Sequence, residues 1–316
     1  MPLILLIALS SLLSQQPQAP AAPTAVNDAV ALQVMLDRAG FSPGAIDGRM
    51  GANTKKALAA YTKAGHTEAA PPDPLVTYRI TPADAAGPFV KVSGDLMEQS
   101  KLESLGYSSV LELLAERFHA TPALLQQLNP GKTFAPEEEI VVPNVEPMQI
   151  PLPTGPAAEA GSAAKDSPDP KQTAPPPPKP AVKVTVSKSS SALTVTADDG
   201  KVIFYAPVTT GSEHDPLPIG DWKVTGVQLS PTFHYNPTLF WDADPSHAKA
   251  KIPAGPNNPV GLVWVDISKE HYGLHGTPEP AAIGRTESHG CVRLTNWDAL
   301  RLAALVQPGT PVVFTQ

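Results

Sequence analysis

The strongest pattern in the chain is a two-residue alternation that begins at Ala181. Val182-Lys183-Val184-Thr185-Val186 and Ala192-Leu193-Thr194-Val195-Thr196 place apolar side chains at every second position, as a strand with one buried face requires. Asp199-Gly200 is a hairpin turn into a third strand, Lys201 to Tyr205. Pro218 to Val224, Leu262 to Val265 and Pro311 to Phe314 read as further strands. Thr295 or Asn296 is placed to cap one helix running to about Val306, and Pro308-Gly309 stops it. Many short strands and a single helix predict a mainly β domain over 182–316, a β-sandwich or barrel-like sheet with a short helix after the cysteine.

Upstream the pattern changes. Val30, Leu32, Val34, Leu36 and Ala39 mark a helix ended by Gly40, although their spacing mixes periods. A turn-rich loop, Gly44 to Gly51, leads to a second helix through Tyr61, with Asn53 or Thr54 as its cap. Val76 to Ile80 alternates like a strand, and Lys91 to Leu105 is polar and partly helical. Leu111, Leu113, Leu114 and Phe118, then Leu124, Leu125 and Leu128, fit two short helices, and Ile140 to Pro143 fits a closing strand.

Composition adds boundaries. The 316 residues include 38 prolines, too many for regular elements, so they belong in linkers. Residues 146–181 are such a stretch, with the run Pro175 to Pro178. This composition favours extended conformations, is expected to hold the C-terminal domain away from the modules before it, and raises local concentration at a shared polymer. The apolar run Pro2 to Leu13 is too short to span a bilayer, and Ala19-Pro20-Ala21 offers a cleavage site. Residues 1–21 are therefore expected to be a signal peptide, despite an n-region without Lys or Arg, and the protein is expected in the periplasm or cell envelope. No transmembrane domain is expected beyond this segment. A net charge of −7 gives no basic footprint for nucleic acid.

The candidate chemistry converges on His271 to Thr277 and Ser288 to Leu294, which hold the only cysteine, Cys291, and three of eight histidines. A lone cysteine excludes an internal disulfide, and in an exported protein it suggests a reactive thiol. A buried small hydrophobe is the ordinary fate of a free cysteine. Here, however, His275 and His289 lie upstream at short spacing, and an imidazole that takes the thiol proton makes a nucleophile. Gly276 and Gly290 allow close backbone approach. His275, His289 and Cys291 also make a three-ligand zinc reading, but the usual Glu-bearing helix motif is missing, so no metal or other cofactor is expected. The aromatic loop Ser230 to Asp242, with Tyr235 and Trp241, reads either as a substrate-covering flap or as a packed surface loop.

The order His275-Gly276-Thr277, then Ser288-His289-Gly290-Cys291-Val292-Arg293, strongly resembles the L,D-transpeptidase (YkuD-type) catalytic domain. Pro218-Ile219-Gly220 and Ala254 to Gly261 extend the resemblance over 182–316. It implies that Cys291 is the nucleophile and His275 the general base, with the Gly276 carbonyl orienting its ring. His289 is the second choice for base, and its backbone N–H, with those of Gly290 and Cys291, would surround an oxyanion. Gly276 and Ser288 would shape the site. Arg293 would hold a substrate carboxylate, with Tyr235 and Trp241 on the substrate. Residues 26–66 resemble a three-helix peptidoglycan-binding module, through Leu32-Gln33, Gly40-Phe41, Gly44, Ile46-Asp47-Gly48, Gly51, Thr54 and Ala57-Leu58. Residues 106–145 resemble a glycan-recognising LysM module without a visible opening strand, and 67–105 are left as a connecting segment. Together these imply attack on a peptidoglycan tetrapeptide stem, release of D-alanine, and transfer to an amine, either a second stem (3→3 cross-link) or an outer-membrane lipoprotein. The alternatives are an L,D-carboxypeptidase or cross-link hydrolase with the same site, and a non-catalytic wall-binding scaffold.

Overall fold

A computed structural model describes residues 28–67, 73–151 and 179–316. The expected signal peptide and most of the Pro/Ala-rich stretch lie outside the described residues.

Helix α1 (Asp28–Arg38) explains the mixed spacing of its apolar residues. It buries two faces: Val30 and Val34 join one core, Met35 and Leu36 another. Helix α2 (Ala52–Lys63) starts at Gly51 with no side-chain cap. Asn53 and Thr54, the expected caps, are engaged elsewhere. Asn53 Nδ2 donates to the Ile283 carbonyl (2.9 Å), and Thr54 Oγ1 accepts from Gln33 Nε2 (3.1 Å). Two helices, not three, are described between 28 and 67.

The next unit corrects the expected boundaries. Strand β1 (Leu75–Arg79) pairs antiparallel with β2 (Glu139–Pro143), from Leu75 opposite Pro143 to Arg79 opposite Glu139. Between them lie α3 (Leu96–Gln99), α4 (Val110–Arg117) and α5 (Pro122–Leu128), capped by Asp95, Ser109 and Thr121. Leu114, Leu125, Ile140 and Val142 form the core beneath both strands. The strand that pairs with the expected closing strand, Ile140 to Pro143, thus starts at Leu75 rather than near Tyr107. The segment 67–105 is not a plain connector: it supplies this strand and an excursion, residues 80–109, before the first long helix.

The alternating C-terminal segments become strands as their pattern predicts. They are β3 (Val182–Ser187), β4 (Ala192–Ala197), β5 (Val202–Pro207) and the long β6 (Gly220–Leu229). The loop at 230–242 is less irregular than its sequence: β7 (Phe233–Tyr235) pairs with β8 (Ala250–Ile252) as a hairpin. Then follow β9 (Val263–Ile267), β10 (Gly273–His275), β11 (Val292–Arg293), helix α6 (Asn296–Leu305) and β12 (Pro311–Thr315). One eight-stranded sheet has the order β11-β10-β9-β6-β12-β3-β4-β5. The expected sandwich or barrel is thus a single sheet that changes partners along β6. Gly220 to Lys223 pair with β12, the register slips between Val224 and Gly226, and the rest of β6 pairs with β9. Such a bulge bends a strand, and both halves bury side chains in one core around Trp297, Phe314 and Leu274. Thr295 caps α6 through Oγ1 to the Asp298 N–H (3.2 Å).

The modules are docked rather than held apart. Ser42 N–H donates to the Tyr205 carbonyl and Tyr205 N–H to Gly40, so residues 40–42 cover the β5 edge. Asp37 of α1 bonds both Arg301 (2.8 Å) and His119 (3.1 Å), and His119 stacks on Trp297. Glu116 of α4 receives the Asn296 amide (3.0 Å). Among the described residues, no helix is long and apolar enough to cross a membrane.

Candidate active site

Parallel pairing of β10 with β11 brings the two halves of the motif together. Leu274 lies opposite Val292 and His275 opposite Arg293, and Leu294 N–H donates to the His275 carbonyl (2.8 Å). The strands end at one cleft of about 910 Å³, which Cys291, His275, Arg293, Ser288 and His289 all line.

His275 is buried, and its Nδ1 lies 2.7 Å from the Gly276 carbonyl. A carbonyl only accepts, so Nδ1 carries the proton and Nε2 keeps its lone pair. Burial, helped by the Arg293 charge, pushes the imidazole pKa down to about 3. His275 is therefore neutral near pH 7, and its ring stacks on Trp264. Cys291 is half-buried, with its Sγ 3.8 Å from the His271 carbonyl. Burial pushes its thiol above the ordinary value, while a backbone hydrogen bond from Gly273 and the Arg293 charge pull the other way.

The glycines are fixed by contact. A Cβ on Gly276 would meet Asn296 Oδ1 at 2.2 Å. Gly290 has φ +99°, and a Cβ there would meet the Tyr272 ring at 2.6 Å. Ser288 Oγ donates to the Cys291 carbonyl (2.6 Å) and so holds the turn that presents the sulfur. Arg293 forms no ion pair among the described residues. Burial lowers its pKa, against the opposing fields of Cys291 and Glu279.

The other imidazole has a different partner. His289 Nε2 lies 2.8 Å from Asp242 Oδ1 at the end of the expected flap, and Phe240 meets its ring edge-on. Tyr235 is buried in the hairpin, its hydroxyl 3.2 Å from His247 Nδ1, and its ring borders the cleft. Trp241 is 62% exposed, lies against His214 and is not among the residues that line the cleft. Three residues here escape sequence reasoning. Asn296 looks like a helix cap, yet it is fully buried, accepting from Leu262 N–H and donating to Glu116 and Pro256. Trp264 alternates like any strand residue. Asp242 has no local signal, since its partner is 47 positions away. No group of three or more potential metal ligands is found among the described residues.

Residues 181–314 match the family model of the L,D-transpeptidase (YkuD) catalytic domain. A Bacillus licheniformis protein named as the L,D-transpeptidase YkuD is 48% identical over 60 residues, 19% of this chain and 36% of its own length. An Escherichia coli protein named as the L,D-transpeptidase YbiS is 37% identical over 118 residues, 35% of this chain and 37% of its own. The chain thus spans little more than a third of the length of either relative. A solved L,D-transpeptidase from Mycobacterium smegmatis superposes with a TM-score of 0.36 at 20% identity, covering 43% of this chain and 59% of that one.

Proposed function

We propose, from that domain match and from the pairing of His275 with Gly276, that the protein is a cell-wall L,D-transpeptidase. The observation that carries the reading is a neutral histidine, buried beside the cleft, whose Nδ1–H is committed to a carbonyl. Its Nε2 is left to take the thiol proton. Cys291 sulfur attacks the carbonyl of the third stem residue as His275 accepts its proton. The amide C–N bond breaks, D-alanine leaves with that proton, and a thioester remains. An acceptor amine then attacks the thioester, the C–S bond breaks, and the acceptor's proton returns to the thiol through His275.

The N–H groups of His289, Gly290 and Cys291 would receive the developing oxyanion; one such donor is worth roughly 3 kcal/mol in other acyl transfers. Gly290 and Ser288 support this role by fixing the turn. Arg293, half-buried at the cleft and without an ionic partner among the described residues, is suited to a substrate carboxylate. His289 serves the flap through Asp242 rather than acting as base. Tyr235 shapes the wall, and Trp241, next in sequence to the cleft-lining Phe240 and Asp242, offers an exposed aromatic face.

The unit that β1 and β2 close around α4 and α5, a βααβ unit apart from the short α3, would grip the glycan. A groove of about 720 Å³ lined by Ser108, Ser109, Gln126 and Thr133 supplies the polar groups. The helical module 26–66 would add wall affinity. In this reading the protein works in the periplasm or cell envelope, on a second stem or a lipoprotein amine, without a cofactor. Water as acceptor would give carboxypeptidase activity from the same residues.

The test is product analysis with disaccharide-tetrapeptide, wild type against Cys291→Ala. Cys291-dependent D-alanine release with a cross-linked dimer is expected. Tripeptide alone would favour the carboxypeptidase. No turnover and no acyl adduct with a carbapenem would leave only a wall-binding scaffold.

A further inference from the structure

The excursion between β1 and the first long helix of the βααβ unit does not stay with its own unit. Residues 88–106 cross to the catalytic domain and pack against the flap hairpin. Leu105, Tyr235 and Ile252 are fully or nearly fully buried together, with Leu96, Met97 and Leu102 closing over them. The backbone is stitched as well: Leu105 N–H donates to the Ala254 carbonyl (2.9 Å), and Asn257 N–H donates to Leu105 (3.0 Å). The Asn257 side chain donates to the Gly106 carbonyl (2.9 Å) and to Glu112 Oε1 (2.8 Å). The approach is so close that a Cβ on Gly255 would lie 2.2 Å from the Leu105 oxygen.

This contact leads on into the chemistry. Tyr235 touches Phe240 (ring centroids 5.6 Å apart), Phe240 touches His289 (5.3 Å), and Asp242, two residues on, binds His289. Asp95 lies 3.5 Å from His247, whose other nitrogen meets the Tyr235 hydroxyl. Gly94 and Leu96 themselves line the catalytic cleft. A three-residue-per-strand hairpin has little stability of its own, so its pose must come from what it packs against.

We propose that residues 88–106 are a positioning element of the active site: a strut from the glycan-facing unit that holds the flap hairpin where Asp242 meets His289 and completes the wall along which the stem peptide lies. The inference deepens the transpeptidase reading and rests on it for the substrate, but not for the strut itself. Leu102, which touches the hairpin core without lining the cleft, is the handle.

In the full chain, Leu102→Ser is expected to speed amide exchange in 233–252 by about tenfold or more, leaving β3 and β4 protected. The KM for tetrapeptide is expected to rise about tenfold with a smaller change in kcat, since positioning losses act through bound geometry. Leu102→Met should restore both. Should Leu102→Ser not fold, Asn257→Ala, which removes one hydrogen bond to the strut at Gly106 and one to Glu112 just beyond it, replaces it with the same expectations. Unchanged exchange in the hairpin overturns the strut, whatever the activity. Faster exchange with unchanged KM overturns its role in the cleft. If the wild type lacks turnover altogether, the transpeptidase reading fails, and hairpin exchange alone decides whether the strut stands.

Discussion

At the scale of single residues the site is poised but uncharged. Burial raises the Cys291 thiol and lowers the His275 imidazole to about 3. An ion pair of thiolate and imidazolium needs the opposite pair of shifts. The two groups therefore rest as thiol and neutral imidazole, so in the proposed reaction the proton would move as the sulfur attacks. Alkylation of Cys291 by iodoacetamide gives the sign directly. The thiolate fraction grows as pH rises toward the thiol's raised value, so the rate should climb with a midpoint above the ordinary cysteine value of about 8.5. A plateau already reached near pH 6 would mean a preformed ion pair and would sink this description.

At the scale of elements, alternation made the strands legible because each buries one face. Val182 to Val186, Ala192 to Thr196 and Pro311 to Phe314 became strands close to their expected limits. The motif around Cys291 was legible for a different reason: its residues lie on two adjacent strands, so their spacing survives in the sequence. What stayed hidden is contact between distant segments. The β1–β2 pairing spans about sixty residues and an excursion that looks like a connector. Of the two candidate caps of α6, Thr295 takes the role and leaves Asn296 to face α4, a partner no local pattern reveals. That buried Asn296–Glu116 contact yields a measurable element-scale effect. Burial, opposed by hydrogen bonds from Asn296 and Tyr107, pushes the Glu116 carboxyl up to about 8. The folded state thus holds a proton that the unfolded state loses above roughly pH 4.5. Its stabilising contribution is complete at low pH and is lost as pH rises to about 8, with a slope of at most about 1.4 kcal/mol per pH unit. Glu116→Gln lacks this slope, so its stability relative to wild type should improve steadily from pH 4.5 to 8. A pH-independent difference in denaturant unfolding would show that Glu116 titrates normally.

At the scale of the whole molecule, the proline-rich stretch suggested modules on a tether, and the structure docks them. The difference lies in the buried cluster where three units meet: Asp37 from the helical module, His119 from the βααβ unit, and Arg301 on α6 of the catalytic domain. Burial alone would raise the Asp37 carboxyl, but His119 and Arg301 outweigh it and hold it well below the usual carboxylate range. With the folded value depressed, the stabilising contribution is present above the unfolded value of about 3.9 and is lost as pH falls below it. Asp37→Asn removes the charge from a fully buried carboxylate whose partner Arg301 is only half-buried, and losing such charge-assisted hydrogen bonds costs about 2 kcal/mol. Urea denaturation near pH 7 should report that loss, and the gap between variant and wild type should narrow as pH falls below about 4. A tethered arrangement makes a different forecast, because an undocked Asp37 would sit in water and its replacement would cost nothing measurable. In the proposed reading docking bears on the reaction as well: a glycan held in the groove beside Ser108 and Gln126 would reach the thiol across packed contacts such as Asn257 with Glu112, rather than over the length of a linker.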